Sequence, residues 1–429
     1  MSTTNRARHC VSVLILVLAA PAAGAEVAAS IDAGVGYSDN ITRTSGEQID
    51  ETLGTLGVLI RAERPEGRLV GLFNADLEYI SYLDDTYDDD VYGRVDLNGD
   101  YWLVQDTFSW ALEDSWGQIR RDPFEVPNPG NTENTNYFAT GPDFIFRFGQ
   151  RTNQTLTGRW ADTSYEETAR DFQRLGGGLA LSRAISERTT IGLHGYASRV
   201  EFDDPLYGSD YDAQEYYGRI ATEGARTRVE FDAGYTEVHD QGESSGNPLF
   251  RLSVTRDISP KSALTLEAGT EVSDSGQLFQ GIGDNGGAPG FGNPSDVIGI
   301  GDPFERRYFG LRWSTDGQRG RFGLGANYRQ ELYETQTQFD RDVTEFYADY
   351  SRGLTEALRL SLGARYEMEE YDDGSYDEDR LRLAAGLAWD VSGKVFVSAD
   401  YEFYQSDSSS PLQDYDENRL WVRVGYRAR

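Results

Sequence analysis

The chain has 429 residues, of which 38% are hydrophobic, and its 40 basic and 72 acidic residues give a formal net charge of −32. Soluble globular domains carry about 45 to 50% apolar residues, so a conventional water-excluding core of this length would be short of apolar side chains. The acidic excess also excludes nucleic acid as a partner, because binding to phosphates requires clustered Lys and Arg.

The first segment, residues 1–25, has the pattern of a signal peptide for export. Arg6 and Arg8 form a basic start, residues 11–20 are apolar apart from one serine, and small residues occupy 23–25. A membrane anchor is the alternative, but ten apolar residues are far fewer than the roughly 20 that a spanning helix needs. We therefore predict cleavage after residue 25 and a single mature domain over 26–429.

From residue 26 onward the chain alternates apolar and polar residues with a period of two, which is typical of strands with one apolar and one polar face. Leu360 and Leu362, for example, alternate with Arg359 and Ser361. Counting such segments predicts twenty strands, with eighteen as the alternative. The predicted strands start near Ala28, Glu51, Arg68, Val91, Thr107, Asn136, Thr152, Phe172, Thr189, Ala213, Thr227, Leu249, Ser262, Phe304, Gly320, Asp342, Ala357, Asp379, Val395 and Glu417.

Two kinds of connection alternate between these segments. Tight turns with Gly, Pro or Ser occur at 64–67, 149–151, 185–187, 316–318 and 392–394. Longer, acidic connections occur at 42–50, 84–90, 120–135, 203–211, 276–302, 372–377 and 406–414. Short turns at one end and long loops at the other are typical of a transmembrane antiparallel β-barrel of the Gram-negative outer membrane. A soluble propeller is the alternative, but the 40-residue repeat signature of its blades does not recur.

The last segment adds a signal for assembly in that membrane. Leu420, Val422, Val424 and Tyr426 alternate with polar residues, which resembles the C-terminal strand that barrel-assembly machinery reads. The usual signal ends on an aromatic residue, whereas residues 427–429 follow Tyr426 here. We therefore expect the assembly machinery, outer-membrane lipid and lipopolysaccharide to be partners.

Short motifs in the first, sixth and seventh predicted strands carry a family resemblance. They are GYSDNI at 36–41, NYF at 136–138, GP at 141–142, Arg147, RT at 151–152, GRW at 158–160 and YE at 165–166. With these motifs the chain resembles the outer-membrane β-barrel porins that are found with exopolysaccharide synthesis and export systems. The resemblance implies a conduit for polysaccharide, and coupling to a synthase would then require a separate periplasmic scaffold.

The polar faces predict the residues that line a pore. Their charges have both signs, so they can form rungs of opposite charge across neighbouring strands. The candidates are Arg94, Asp96, Asp100, Glu230, Asp232, Glu267, Glu271, Arg312, Arg329, Arg359, Arg365, Glu367, Arg382, Asp400 and Arg423. Four further inward residues could contact a sugar polymer by stacking and hydrogen bonding, namely Tyr196, Tyr308, Tyr404 and Trp421.

The longest connection, residues 276–302, is the candidate for a constriction. It is rich in glycine, yet it contains the apolar residues Phe279, Phe291, Ile298 and Ile300, which would be unusual in a freely solvated loop. We therefore predict that it folds into the lumen.

Other functions are weaker alternatives. A general or solute-specific diffusion porin is the second hypothesis, and an enzyme at the outer rim of protease or lipase type is the third. The mature chain has only His194 and His239 to serve such chemistry, so we predict no enzyme and no cofactor. The acidic loops could bind divalent cations, but they do not match an EF-hand, and we predict no metal site.

Overall fold

The structure, a computed structural model, describes residues 25–428, apart from 206–207, 241, 285–297, 373, 375 and 412. The predicted signal segment lies outside the described residues except for residue 25. The described residues form twenty strands and little helix. The strands are β1 (Glu26–Ser38), β2 (Glu51–Arg64), β3 (Leu69–Tyr82), β4 (Asp90–Val104), β5 (Phe108–Arg120), β6 (Thr132–Phe148), β7 (Thr152–Tyr165), β8 (Phe172–Ala184), β9 (Thr189–Phe202), β10 (Tyr211–Glu223), β11 (Thr227–Asp240), β12 (Glu243–Ser259), β13 (Ser262–Ser273), β14 (Phe304–Asp316), β15 (Gly320–Tyr333), β16 (Arg341–Gly353), β17 (Leu358–Tyr371), β18 (Asp377–Asp390), β19 (Val395–Ser408) and β20 (Tyr415–Ala428).

Each strand pairs antiparallel with the next in sequence, and the sheet closes on itself because β1 pairs antiparallel with β20. Ten residue pairs, from Ala29 with Ala428 to Ser38 with Arg419, form this seam. Closure removes the free strand edges that would otherwise expose unpaired backbone groups. The prediction of a twenty-stranded antiparallel β-barrel is therefore confirmed.

The helical content is small and confined to connections. One α-helix, α1 (Ser275–Asp284), follows β13, and single 3-10 turns occur at Pro129–Asn131 and Thr337–Phe339. Within the part of the chain that the structure describes, no helix is both long and apolar enough to cross a membrane.

The two faces of the wall differ as the alternation predicts. Large apolar side chains project outward from the strands and stay exposed, among them Val35, Leu175, Leu193 and Leu362. The opposite face carries charged and aromatic side chains, many of them buried, such as Glu369. An apolar band around a polar interior is the arrangement that allows a closed barrel to lie in a bilayer.

The two ends of the barrel also differ. Connections at the end that carries both termini have two to four residues, whereas those at the other end range from two residues, between β11 and β12, to thirty, between β13 and β14. Short turns face the periplasm in outer-membrane barrels and long loops face outside, so we call the two ends periplasmic and outer.

Two predicted strand starts were wrong by more than three residues. β6 begins at Thr132 instead of Asn136, and β12 begins at Glu243 instead of Leu249. In β12 the run of Gly246, Asn247 and Pro248 resembles a turn, but it continues the strand, with Pro248 opposite Tyr235 of β11. The connection predicted at 276–302 also differs, because its first part is helical.

The lumen and its plug as the candidate functional site

All fifteen predicted pore-lining residues project from the face opposite the exposed apolar band, and eleven of them form ion pairs, either within one strand or between neighbouring strands. The pairs with nitrogen–oxygen distances of 2.7 to 3.4 Å are Arg94 with Asp96, Asp232 with Arg219, Glu230 with Arg219, Arg329 with Glu331, Arg365 with Glu345, and Asp400 with Arg423. Glu271 and Arg382 pair with Arg251 and Glu402 at 2.5 Å, and Glu367 pairs with Arg380. Asp100 accepts a hydrogen bond from Ser109.

The remaining three candidates lie on the same face. Glu267 lies opposite Gly310 and Arg312 opposite Thr265 in the β13–β14 register. Arg359 lies opposite Ala388, close to the periplasmic end of β17. The role of all fifteen residues as a pore lining stays a prediction.

The most buried ion pairs were missed in the sequence. Arg341, at the start of β16, lies between Glu331 of β15 and Glu369 of β17, with nitrogen–oxygen distances of 2.8 and 2.6 Å. All three side chains are at most 3% exposed. Alternation could place them on the inward face, but no sequence signal indicates that the outer loops would cover them.

The described parts of the connection between β13 and β14, residues 274–284 and 298–303, pack against the inward face of distant strands. Phe279 of α1 is buried, its ring centroid lies 4.8 Å from the guanidinium of Arg94 of β4, and its carbonyl accepts a hydrogen bond from that group at 2.9 Å. Further along, Ile298 forms a bridge with Arg120 at the end of β5. Ile300 is also buried. Phe291, the fourth predicted constriction residue, lies outside the described residues.

Ion pairs and close packing hold both ends of this connection. Asp274 accepts a hydrogen bond from Arg174 of β8, and the Tyr165 and Ser275 hydroxyls are 2.9 Å apart. At the other end a Cβ on Gly301 would lie 2.3 Å from the Phe202 ring. The described parts of this connection therefore extend over the outer mouth, because β13 and β14 are far from β7 to β9 around the barrel.

A second segment, residues 121–131 between β5 and β6, crosses the same mouth in another direction. Phe124 stacks on Phe339, with centroids 5.5 Å apart, and its ring also lies 4.9 Å from that of Tyr371 of β17. Arg120, just before it, reaches Glu378 of β18 at 3.8 Å. β5 and β18 are seven strands apart by the shorter way round, so this contact spans the lumen. We call residues 121–131 with the described parts of 274–303 the plug.

Two outer-loop groups that hold the plug have pKa values above their ordinary values. Asp302, at the end of the β13–β14 connection, accepts hydrogen bonds from the backbone N–H groups of Thr335 and Gln336 at 2.7 and 2.8 Å. Burial raises the pKa of Asp302, and these hydrogen bonds offset only part of that effect. Arg43, in the first outer loop, is buried, which would lower its pKa, but the adjacent Tyr415 and Glu417 raise the pKa above its ordinary value. Arg43 therefore keeps its charge.

The acidic outer loops use their carboxylates to close on the barrel. Asp89, Asp171, Asp210, Asp340 and Asp414 each stand immediately before a strand and accept a hydrogen bond from the backbone N–H of the last residue of the preceding strand, at 2.6 to 3.0 Å. Among the described residues no group of three or more His, Cys, Asp or Glu could hold a metal ion. Loop closure thus accounts for part of the acidic excess.

The two histidines have different surroundings. His194 stacks on Tyr217 inside the barrel, with ring centroids 4.7 Å apart. His239 lies near the outer end of β11 with its Nε2 3.4 Å from the Glu237 carboxylate.

Similarity to known proteins lies mainly in the fold. No curated protein matches the chain significantly. Among solved structures, the siderophore receptor PirA from Pseudomonas aeruginosa is 11% identical, with 94% of this chain and 80% of that chain aligned and a TM-score of 0.46. The FrpB iron transporter from Neisseria meningitidis is 9% identical over 95% and 82% of the two chains, at a TM-score of 0.47. OccK2 from Pseudomonas aeruginosa, solved with glucuronate, is 12% identical over 94% of this chain and 99% of that chain, at a TM-score of 0.40.

One family matches at the level of its sequence profile. Residues 336–428, which contain β16 to β20, match the family described as "Putative beta-barrel porin 2". The match covers the strands that complete the barrel and close it against β1. With its closed sheet, outward apolar band and charged lumen, the chain is an outer-membrane β-barrel whose last five strands match this porin family.

Proposed function

We propose that the protein is an outer-membrane channel that exports an exopolysaccharide. The observation that carries the proposal is the wall of the lumen, where flat rings stand among fixed ion pairs. Tyr196, Tyr308 and Tyr404 project inward and are partly exposed, and the Arg306 guanidinium covers the ring of Tyr308 at 4.8 Å. Trp421 also projects inward but is only 5% exposed, so it supports the wall and does not contact a solute. Rings of this kind present both an apolar face and a polar edge, which suits a polymer whose own rings have apolar faces and hydroxyl edges.

The plug supports export in preference to free diffusion. A channel for a long polymer is wide, and an open wide channel would also admit harmful solutes. Two segments across the outer mouth would keep such a channel closed when no polymer is present. The family resemblance of the first, sixth and seventh strands to porins of exopolysaccharide systems supports the same substrate class. In this role the chain would meet a periplasmic scaffold and the lipopolysaccharide leaflet.

A diffusion porin is the second candidate, and the mixed signs of the lumenal ion pairs favour it. Charges paired along the wall make a lumen that prefers neither cations nor anions strongly, as general diffusion requires. The two candidates predict different effects of losing the protein: loss of an exporter leaves polymer in the periplasm, whereas loss of a diffusion porin does not.

Deletion of the gene in the native host tests the two candidates. For an exporter we expect surface polysaccharide to be lost and polymer to accumulate in the periplasm, with both restored by the intact chain. Unchanged surface polysaccharide, together with slower uptake of small hydrophilic solutes, would instead identify a diffusion porin.

A further inference from the structure

A small cavity lies inside the lumen directly beneath the plug segment 121–131. Its volume is about 180 Å³, and Pro127 of that segment forms part of its wall. Drug-sized ligands usually occupy sites of about 300 to 1,000 Å³. The cavity thus has room for a small anion or a single sugar ring, and a longer molecule would have to extend into the lumen.

The charged groups that line the cavity are strongly unbalanced. Five arginines face it, and one carboxylate does. They are Arg43, Arg120, Arg365, Arg380, Arg382 and Glu367. The chain as a whole has a net charge of −32, so this surface has the opposite sign to the rest of the molecule.

Two of these arginines pair with carboxylates that lie outside the cavity. Glu417 binds Arg43 at 2.9 Å, and Glu345 binds Arg365 at 2.8 Å. Neither carboxylate belongs to the cavity wall. These two guanidinium groups are therefore held in place by carboxylates outside the cavity, and a guanidinium has five N–H donors, more than one carboxylate can accept.

The ring of Tyr404 collects three guanidinium groups. Those of Arg43, Arg382 and Arg419 lie 4.8, 5.2 and 5.4 Å from its centroid. The Tyr404 hydroxyl donates a hydrogen bond to Glu402 at 2.9 Å. Glu417 pairs with both Arg43 and Arg419, and Glu402 pairs with Arg382. Three guanidinium groups therefore share two carboxylates, and an additional anion beside them would lower the electrostatic energy of the cluster.

The cavity is closed toward the outer end and more open toward the lumen. At the plug, the Arg120 side chain is 4% exposed, whereas the Arg382 side chain is 44% exposed. Arg43 donates a hydrogen bond to the carbonyl of Pro127, which ties the plug to this wall. A ligand would therefore enter from the lumen, past Arg382.

We propose that this cavity binds the carboxylate of an acidic sugar, with guanidinium groups on the carboxylate and the Tyr404 and Tyr415 side chains beside the ring. This inference rests on the proposed function and adds the substrate class, namely a polymer that contains uronic acid residues. Arginine forks suit carboxylates because two parallel N–H groups match the two oxygens. A bound acidic residue lies against the plug segment, so the site would also place the polymer where the mouth must open.

Binding can be measured by calorimetry on the full chain purified in detergent, with trigalacturonate, maltotriose and inorganic sulfate as separate probes. We expect trigalacturonate to bind at least ten times more tightly than either maltotriose or sulfate. Arg382→Gln and Arg365→Gln should each weaken trigalacturonate binding at least tenfold. Arg359→Gln is the matched control, since it removes an inward arginine outside the cavity and should leave binding unchanged.

Each other result overturns the proposal. Equal affinity for maltotriose and trigalacturonate would show that the site does not recognise the carboxylate. Equal affinity for sulfate would show that the site binds anions in general. Equal losses in Arg359→Gln and Arg382→Gln would show an effect of overall charge. Heat-modifiable migration on gels verifies that each variant is folded, and Arg382→Lys, which retains the charge, should recover part of the affinity.

Secretion assays with the same variants separate this site from the proposed function. If the deletion strain still secretes its polymer while the purified chain binds trigalacturonate, the exporter function fails and the site stands. If secretion requires the chain but trigalacturonate does not bind, the function stands and the site fails.

Discussion

Asp89, the last residue before β4, accepts a hydrogen bond from the backbone N–H of Tyr82, the last residue of β3, at 3.0 Å. The same carboxylate also accepts hydrogen bonds from the Tyr79 and Ser81 hydroxyls at 2.7 and 3.1 Å. One aspartate thus joins both ends of an outer loop. Four other outer loops are closed by an aspartate in the same way, so a test at one position bears on all five.

Asp89→Ala should loosen the loop at 83–89, because the N–H of Tyr82 and two hydroxyls lose their acceptor. We expect faster cleavage of this loop by protease in intact cells. Asp88→Ala is the control, since it removes the same charge one residue away, and it should cleave at the rate of the unaltered chain. Equal cleavage of the two variants would contradict a specific role for Asp89.

Protection of the same loop should also depend on pH. Its hydrogen bond with Tyr79, followed by that with the Tyr82 backbone, lowers the pKa of Asp89 below its ordinary value. A carboxyl group whose pKa is lower in the folded state stabilises that state above the unfolded pKa of about 3.9, and this contribution is lost as pH falls through the folded pKa. Protection measured by hydrogen exchange should thus be constant from pH 7 to 5 and fall below about pH 4, and the fall should be absent in Asp89→Ala.

Substitutions in β17 and β18 test the two faces of the wall. Leu362 and Leu383 face outward and are 43% and 41% exposed. Leu362→Arg or Leu383→Arg should cost about 2 to 4 kcal/mol near the bilayer midplane and impair insertion into liposomes. Ser361→Arg places the same charge on the lumenal face and should insert normally. Equal insertion of the three variants would contradict the assignment of the faces.

Opening the plug should raise single-channel conductance in planar bilayers. Ser273 and Phe304 are paired in the sheet, so deletion of residues 276–301 leaves β13 and β14 joined by a short turn and the wall intact. We expect higher conductance and entry of larger dextrans. Gly301→Val should act in the same direction without a deletion, because its side chain would collide with the Phe202 ring.

The control for the plug is a deletion of residues 46–48, which are exposed in the first outer loop. That deletion should leave conductance unchanged. If deletion of 276–301 also leaves conductance and the dextran limit unchanged, this connection does not restrict the lumen.

The buried ion pairs around Arg341 should contribute strongly to stability. Arg341→Leu leaves Glu331 and Glu369 buried without their shared partner, and removal of one member of a buried pair typically costs about 3 to 5 kcal/mol. The temperature at which the folded band disappears on gels should fall accordingly. Adding Glu331→Gln and Glu369→Gln to Arg341→Leu should recover much of the lost stability. If stability is not recovered, the loss comes from altered packing and not from the unpaired carboxylates.

Much of the barrel could be predicted because alternation reports directly on which medium each face meets. The starts of β2, β7, β8, β9, β11, β13, β14, β15 and β19 agree with the structure to the residue. β6 and β12 extend beyond their predicted starts because outward polar residues there resemble loop residues. Partners across the lumen, such as Arg120 and Glu378, could not be predicted, since period-two patterns define faces but carry no information on which loops fold inward.

The constriction residues illustrate the same limit. The apolar content of 276–302 predicted that this connection needs cover, and the structure buries Phe279, Ile298 and Ile300. The segment 121–131 was predicted only as an acidic outer loop. It contains the apolar residues Phe124 and Pro127. These two residues are the signal that could have indicated a second inward segment.

The seam between β1 and β20 has a consequence for how the barrel forms. The first strand to leave the ribosome can complete its pairing only when the last strand has arrived, so the most distant contact in the chain is also the final one. Until then both edges present unpaired backbone groups, which invite association with other chains. Loop closure over nearly the full length is slow, and Ser38 and Glu417, joined at 2.6 Å at the outer end of the seam, can meet only in that final step. The unfinished sheet is therefore open to association with other chains until this seam closes.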